Sequence, residues 1–105
     1  MAKGRILIVE DDFDISNMLR IYFNGQGYDV NVAPRGGEAM TLARQHLPHL
    51  IVLDIMMPDM DGYAVCRQLR QTTRTSHIPI IFLTQKDERS DRIAGLELGA
   101  DDYIT

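Results

Sequence analysis

Three short apolar runs in this chain each stop abruptly at a carboxylate or a hydroxyl, and the stretches between them carry helical periodicity. Arg5-Ile6-Leu7-Ile8-Val9 runs into Glu10-Asp11-Asp12, Leu50-Ile51-Val52-Leu53 into Asp54, and Ile80-Ile81-Phe82-Leu83 into Thr84. Runs that are apolar throughout read as strands covered on both faces, the condition of a parallel sheet. Tyr28, Val30 and Val32 alternate instead with Asp29 and Asn31, which predicts a half-exposed strand near a sheet edge. Tyr103-Ile104 reads as the start of a fifth strand.

The intervening stretches read as helices. Ile15, Met18, Leu19, Tyr22 and Phe23 form one helical face, with Gly25 and Gly27 as stop signals. After a turn at Pro34-Arg35-Gly36-Gly37, Ala39, Met40, Leu42, Ala43 and Leu47 give a second helix that ends at Pro48. A loop with Pro58 and Gly62 leads into a third, with Ala64, Val65, Cys66 and Leu69 inward. A fourth carries Ile93, Leu96 and Leu98 and stops at Gly99. Strands alternating with helices require right-handed crossovers, hence a doubly wound α/β layer structure with helices on both faces of a parallel sheet. Ligands of such sheets lie at the carboxyl ends of the strands. In this chain that edge gathers Glu10, Asp11, Asp12, Asp54 and the Thr84 hydroxyl.

Composition removes several function classes. A chain of 105 residues supports one core. Eleven basic against 15 acidic residues give a net charge of -4, the wrong sign for an electrostatic nucleic-acid surface. A lone cysteine, Cys66, permits neither a disulfide framework nor a thiolate metal cluster, and it fits a reducing compartment. No apolar run approaches the ~18 residues of a membrane span. The apolar run after Lys3 and Arg5 is only Ile6 to Val9, shorter than a signal peptide requires, so the expected location is the cytoplasm.

Carboxylates crowded in a partly dry cleft repel one another unless a cation or a proton intervenes. An oxygen-only set suits a hard divalent ion such as Mg²⁺, which commonly takes one or two carboxylates with water and phosphate oxygens. An aspartate carboxylate beside such an ion can attack phosphorus and form an acyl phosphate. Asp54, alone at the end of the central strand, is placed to be that nucleophile, and Thr84 to donate a hydrogen bond to the phosphoryl oxygens.

These residues resemble the receiver domain of a two-component response regulator. The resemblance spans almost the whole chain and is carried by Ile6 to Asp12, by Asp54-Ile55-Met56-Met57-Pro58-Asp59-Met60-Asp61-Gly62, by Phe82-Leu83-Thr84 and by Gly95 to Tyr103. The last segment is most similar to regulators that join a receiver to a winged-helix DNA-binding domain. The resemblance implies a flavodoxin-like (CheY-like) sheet of order 2-1-3-4-5. It makes Asp54 the phosphoacceptor, and Glu10 with Asp11 the acidic pair holding Mg²⁺ beside Asp54. The backbone carbonyl of Met56 becomes a further ligand, Thr84 the switch hydroxyl and Tyr103 the switch aromatic. It implies a sensor histidine kinase as phosphodonor, an output domain outside residues 1–105 and no turnover enzyme. In that family a lysine stands three residues after the switch aromatic, followed by a cis-proline and a fifth helix. This sequence stops at Thr105, one residue before that lysine, so residues 1–105 are expected to be a receiver incomplete at its C-terminus. Lys86 is not at the matching position. Loss of the fifth helix is expected to uncover apolar surface and favour self-association, including a homodimer.

Plainer readings stand beside these. Glu10-Asp11-Asp12 also suits an N-cap, because acids are favoured at helix N-termini. Asp59 and Asp61 read as loop-shaping and capping residues, Asp101 and Asp102 as loop acids, and Cys66 as a small buried group. His46, His49 and His77 share no metal-ligand spacing and read as surface or loop residues. Gln85 is bulkier than the small residue many receivers carry beside the switch hydroxyl. Two functional alternatives remain: a degenerate receiver that binds a partner without phosphorylation, and a Mg²⁺-dependent phosphatase with an aspartyl-phosphate intermediate. The second lacks an acid two residues after Asp54, where Met56 stands.

Overall fold

The computed structural model describes residues 3–83 and the backbone of Asp102, Tyr103 and Ile104. In chain order the elements are β1 (Arg5–Val9), α1 (Phe13–Gly25), β2 (Asp29–Ala33), α2 (Gly36–His46), β3 (Leu50–Asp54), α3 (Gly62–Gln71), β4 (Ile80–Leu83) and β5 (Asp102–Ile104). All pairings are parallel and the strand order is β2-β1-β3-β4-β5, the doubly wound arrangement expected from the alternation of elements. The helix expected around Ile93–Gly99 lies outside the described residues.

The central strands are buried on both faces, as their unbroken apolar composition requires. Leu7, Val9, Ile51, Leu53 and Phe82 point to one side and pack with Ala39, Ala43, Val65, Cys66 and Leu69 of α2 and α3. Ile6, Ile8 and Val52 point to the other side, where Leu19 and Phe23 of α1 and Tyr28 cover them. The strand's two-residue side-chain period divides the core in this way. β2 lies at the sheet's edge, with its first residue exposed and its middle half-buried.

Three local features differ from the sequence reading. On α1 the sheet is met by Ser16, Leu19 and Phe23, whereas Met18 and Tyr22 are 62% and 58% exposed. The apolar residues of this helix are spread more widely than one stripe, so periodicity alone does not choose the inward edge. The buried Ser16 hydroxyl is satisfied by donating to the Phe13 carbonyl. Gly36 and Gly37, expected in a turn, form the first turn of α2. Finally, Leu47 closes α2 in the left-handed region (φ 45°), its N–H donating to the Ala43 carbonyl. Pro48 disfavours a helical residue before it, which explains the stop. His46, His49 and His77 are all exposed and Cys66 is buried, as expected.

Helix starts are capped by acids. Asp12 accepts from the Ile15 N–H at 3.1 Å, and Asp61 from the Tyr63 N–H at 2.9 Å. Asp61→Ala is expected to lower stability by about 1 kcal/mol, read as a fall in the denaturant midpoint at unchanged slope.

Candidate functional site

Parallel pairing of β1 with β3 sets Val9 against Leu53, so the next residues, Glu10 and Asp54, emerge side by side at the carboxyl edge. The Glu10 N–H donates to the Ala33 carbonyl at 3.0 Å, extending the strand contact one residue and leaving Glu10 only 4% exposed. Asp11 is exposed and Asp54 half-buried. One carboxylate oxygen from each of Glu10, Asp11 and Asp54 lies within 4.8 Å of the others. The third acid of the triplet, Asp12, instead caps α1, so the metal and capping readings of Glu10-Asp11-Asp12 apply to different residues. Cation-binding geometry and a helix cap thus share three consecutive positions.

The loop after β3 shapes the rest. The Met56 N–H donates to Asp54 Oδ1 at 3.2 Å and fixes that carboxylate. Met56 and Asp61 form an isolated antiparallel bridge, and the Gly62 N–H donates to the Ile55 carbonyl at 2.9 Å, closing the loop on itself. Gly62 lies so close under the strand end that a Cβ there would overlap the Asp54 carbonyl oxygen and approach Ile55 Cα to 2.7 Å. Asp59 reaches out of this loop to accept from the Gly36 and Gly37 N–H groups at 3.1 and 3.2 Å. These backbone donors hold its carboxyl below the usual range, Gly36 foremost.

Crowding sets the protonation of the pair. Burial, followed by the hydrogen bond to Asp54 and the Asp54 charge, pushes Glu10 up to about 8. Burial also raises Asp54, while hydrogen bonds from Glu10 and the backbone N–H groups of Met56 and Ile55 act the other way. Near neutral pH, Glu10 therefore holds a proton that it donates to the Asp54 carboxylate. In the unfolded chain Glu10 releases its proton near 4.5, so between 4.5 and about 8 the native state binds more protons than the unfolded state. The metal-free chain is accordingly expected to lose stability as pH rises through this window. Melting temperatures between pH 5 and 8.5 check this, and a rise across the range would contradict it.

Among the remaining site candidates, Met56 carries a 63% exposed side chain and contributes to the site through its backbone. Tyr103 stands in β5 opposite Phe82. Thr84 lies outside the described residues, as do Gln85 and Lys86. Two features escaped the sequence reading: the bond from Asp59 to α2 and the close approach at Gly62. The sequence holds no local signal for the first, because Arg35 at the N-cap offers no capping oxygen and the cap comes from 22 and 23 residues away. The oxygen-only donors of Glu10, Asp11 and Asp54 fit a hard divalent cation such as Mg²⁺ or Mn²⁺. No helix among the described residues is long and apolar enough to cross a membrane.

Comparison with known proteins agrees with this geometry. The family described as "Response regulator receiver domain" matches residues 6–105. The ycf27 protein of Porphyridium aerugineum is 48% identical over 104 residues, covering 99% of this chain and 42% of the relative. The alkaline phosphatase synthesis transcriptional regulatory protein PhoP of Bacillus subtilis is 48% identical over 101 residues, covering 96% and 41%. The chain thus spans about two fifths of the length of these relatives. Among solved structures, the BeF3-activated N-terminal receiver domain of Klebsiella pneumoniae RstA superposes with a TM-score of 0.89 at 39% identity, covering 95% of this chain and 83% of that one. The Mn(2+)-bound form of response regulator Rcp1 gives 0.86 at 28% identity, covering 97% and 80%. This chain belongs to the response regulator receiver domain family.

Proposed function

We propose that this receiver domain is a phosphorylation-controlled signalling switch in which Asp54 accepts a phosphoryl group from a sensor histidine kinase. The observation that carries the reading is the meeting of Glu10, Asp11 and Asp54 at one strand edge, with Asp54 fixed by the Met56 N–H. An Asp54 carboxylate oxygen attacks phosphorus, the bond from phosphorus to the donor nitrogen breaks, and its electron pair leaves with the donor imidazole. The product is an acyl phosphate on Asp54. Glu10 and Asp11, with Asp54 and the Met56 carbonyl, would hold Mg²⁺. When bound, the ion offsets the negative charge that gathers on the transferring phosphoryl oxygens. Glu10 gives up its proton as the ion enters, because a ligand carboxylate must be ionised.

Downstream, Thr84 supplies the hydroxyl that turns toward the phosphoryl group and Tyr103 the ring that reports it. Two states separated by a few kcal/mol suffice for such a switch. The chain acts as a cytoplasmic signalling protein rather than a turnover enzyme. Its partners are the kinase, an output domain that regulates transcription and a second receiver. The metal-bound Rcp1 and the BeF3-activated RstA receiver support the cation and the acceptor role by kinship.

Incubation with acetyl phosphate and Mg²⁺ followed by intact-mass measurement tests the reading. Addition of one phosphoryl group, blocked by a chelator, is expected; an unchanged mass would overturn it. Calorimetry of Mg²⁺ binding near pH 7 in buffers of different ionisation heats is expected to show proton release, whereas heats independent of buffer would contradict the Glu10 assignment.

A further inference from the structure

We propose that Asp59 is a positioning residue for the phosphoacceptor site, tying the loop after β3 to the N-terminus of α2; the role rests on reading Asp54 as the acceptor. Both Asp59 carboxylate oxygens are engaged, Oδ1 by the Gly36 N–H at 3.1 Å and Oδ2 by the Gly37 N–H at 3.2 Å. These N–H groups are otherwise orphaned at the helix start, since the N-cap residue Arg35 makes no side-chain cap. The partners lie 23 and 22 residues away in sequence, so the contact fixes one element against another rather than closing a local turn.

At the base of the loop the Ile55 N–H donates to the Leu83 carbonyl of β4 at 3.3 Å, and beyond it the backbone bonds described are internal. Met56 bridges to Asp61, the Gly62 N–H reaches the Ile55 carbonyl, and the Met56 N–H reaches Asp54. Asp59 sits at the tip of this closed loop, and the neighbouring Met60 packs on the same helix start, where a Cβ on Gly36 would come within 2.7 Å of Met60 Cβ. The tip is therefore held by α2 and the base by β3. A shift of the tip is passed through the Met56–Asp61 bridge to the peptide that fixes Asp54. Asp59 touches neither phosphate nor metal in this scheme and acts through Met56.

Amide exchange followed by NMR on the intact chain, its Asp59→Ala variant and its Asp59→Asn variant tests the role without metal or phosphate. Asp59→Ala is expected to speed exchange at Gly36, Gly37 and Met56 alike. Asn keeps one acceptor oxygen and is expected to restore protection at one of the two glycines and part of it at Met56. Titration with Mn²⁺ is expected to show affinity about tenfold weaker in Asp59→Ala, as loss of an outer-shell partner does, and partly restored in Asp59→Asn. Faster exchange confined to Gly36 and Gly37, or Mn²⁺ affinity equal in wild type and Asp59→Ala, would reduce Asp59 to a helix cap and overturn the proposal. Absence of Mn²⁺ binding in the wild type would instead overturn the metal reading of the site, while Met56 exchange would still decide whether Asp59 holds the loop.

Discussion

Asp54→Ala is expected to lower the rate of phosphoryl uptake from acetyl phosphate by about a thousandfold or more, the scale seen when a covalent nucleophile is removed. The neighbouring acids do not substitute for it. Glu10 is only 4% exposed, which leaves its carboxyl group little access to a phosphodonor. Asp11 is exposed, and among the described residues no backbone N–H holds it as the Met56 N–H holds Asp54 Oδ1. The variant should nevertheless fold, because Asp54 is one of three crowded carboxylates and its removal relieves the hydrogen bond and charge that help raise Glu10. Circular dichroism alongside intact mass separates lost chemistry from lost structure. Uptake at the wild-type rate by folded Asp54→Ala would place the acceptor elsewhere.

Gly62→Ala is expected to destabilise the domain by about 3 kcal/mol, an overpacking cost. For a domain of this size that is a fall of roughly 10–20 °C in melting temperature. The sign is informative, because helix propensity alone predicts the opposite: Gly62 is the first residue of α3, and Ala is favoured over Gly within a helix by about 1 kcal/mol. Steric overlap decides the outcome. The added Cβ would meet the Asp54 carbonyl oxygen and Ile55 Cα, which are backbone atoms of the acceptor strand and its continuation and cannot rotate aside. Thermal denaturation reads the effect, and a melting temperature equal to or above wild type would contradict the close approach. Any Gly62→Ala protein that stays folded is also expected to take up phosphate more slowly, since the strain falls on the peptide of Asp54 itself.

Strand identity was legible because fully buried parallel strands leave an unbroken apolar record, as in Leu50-Ile51-Val52-Leu53, whereas the strand order came from the resemblance to receiver domains. The meeting of Glu10, Asp11 and Asp54 followed from the same record, since residues directly after adjacent parallel strands must share an edge. The resemblance pairs Glu10 with Asp11, but the role of the third acid was not legible. Asp12 turns away to cap α1 through the backbone direction after Glu10, a choice that composition does not encode. The inward edge of α1 was misread at Met18 and Tyr22 because apolar residues also occupy its outer flank. Gly36-Gly37 looked like a turn because its cap, Asp59, is supplied from 22 and 23 residues away. A distant side chain replaced the local capping signal.

Chemical mapping of the phosphorylated residue tests the central claim most directly. Borohydride attacks the carbonyl carbon of an acyl phosphate, expels phosphate and leaves an alcohol in place of the carboxylate. Peptide mass spectrometry after this treatment, on chain exposed to acetyl phosphate with Mg²⁺, is expected to find the reduced side chain at Asp54 alone. Reduction at Glu10, Asp11 or Asp59, or no reduced residue at all, would contradict the assignment of Asp54 as the phosphoacceptor.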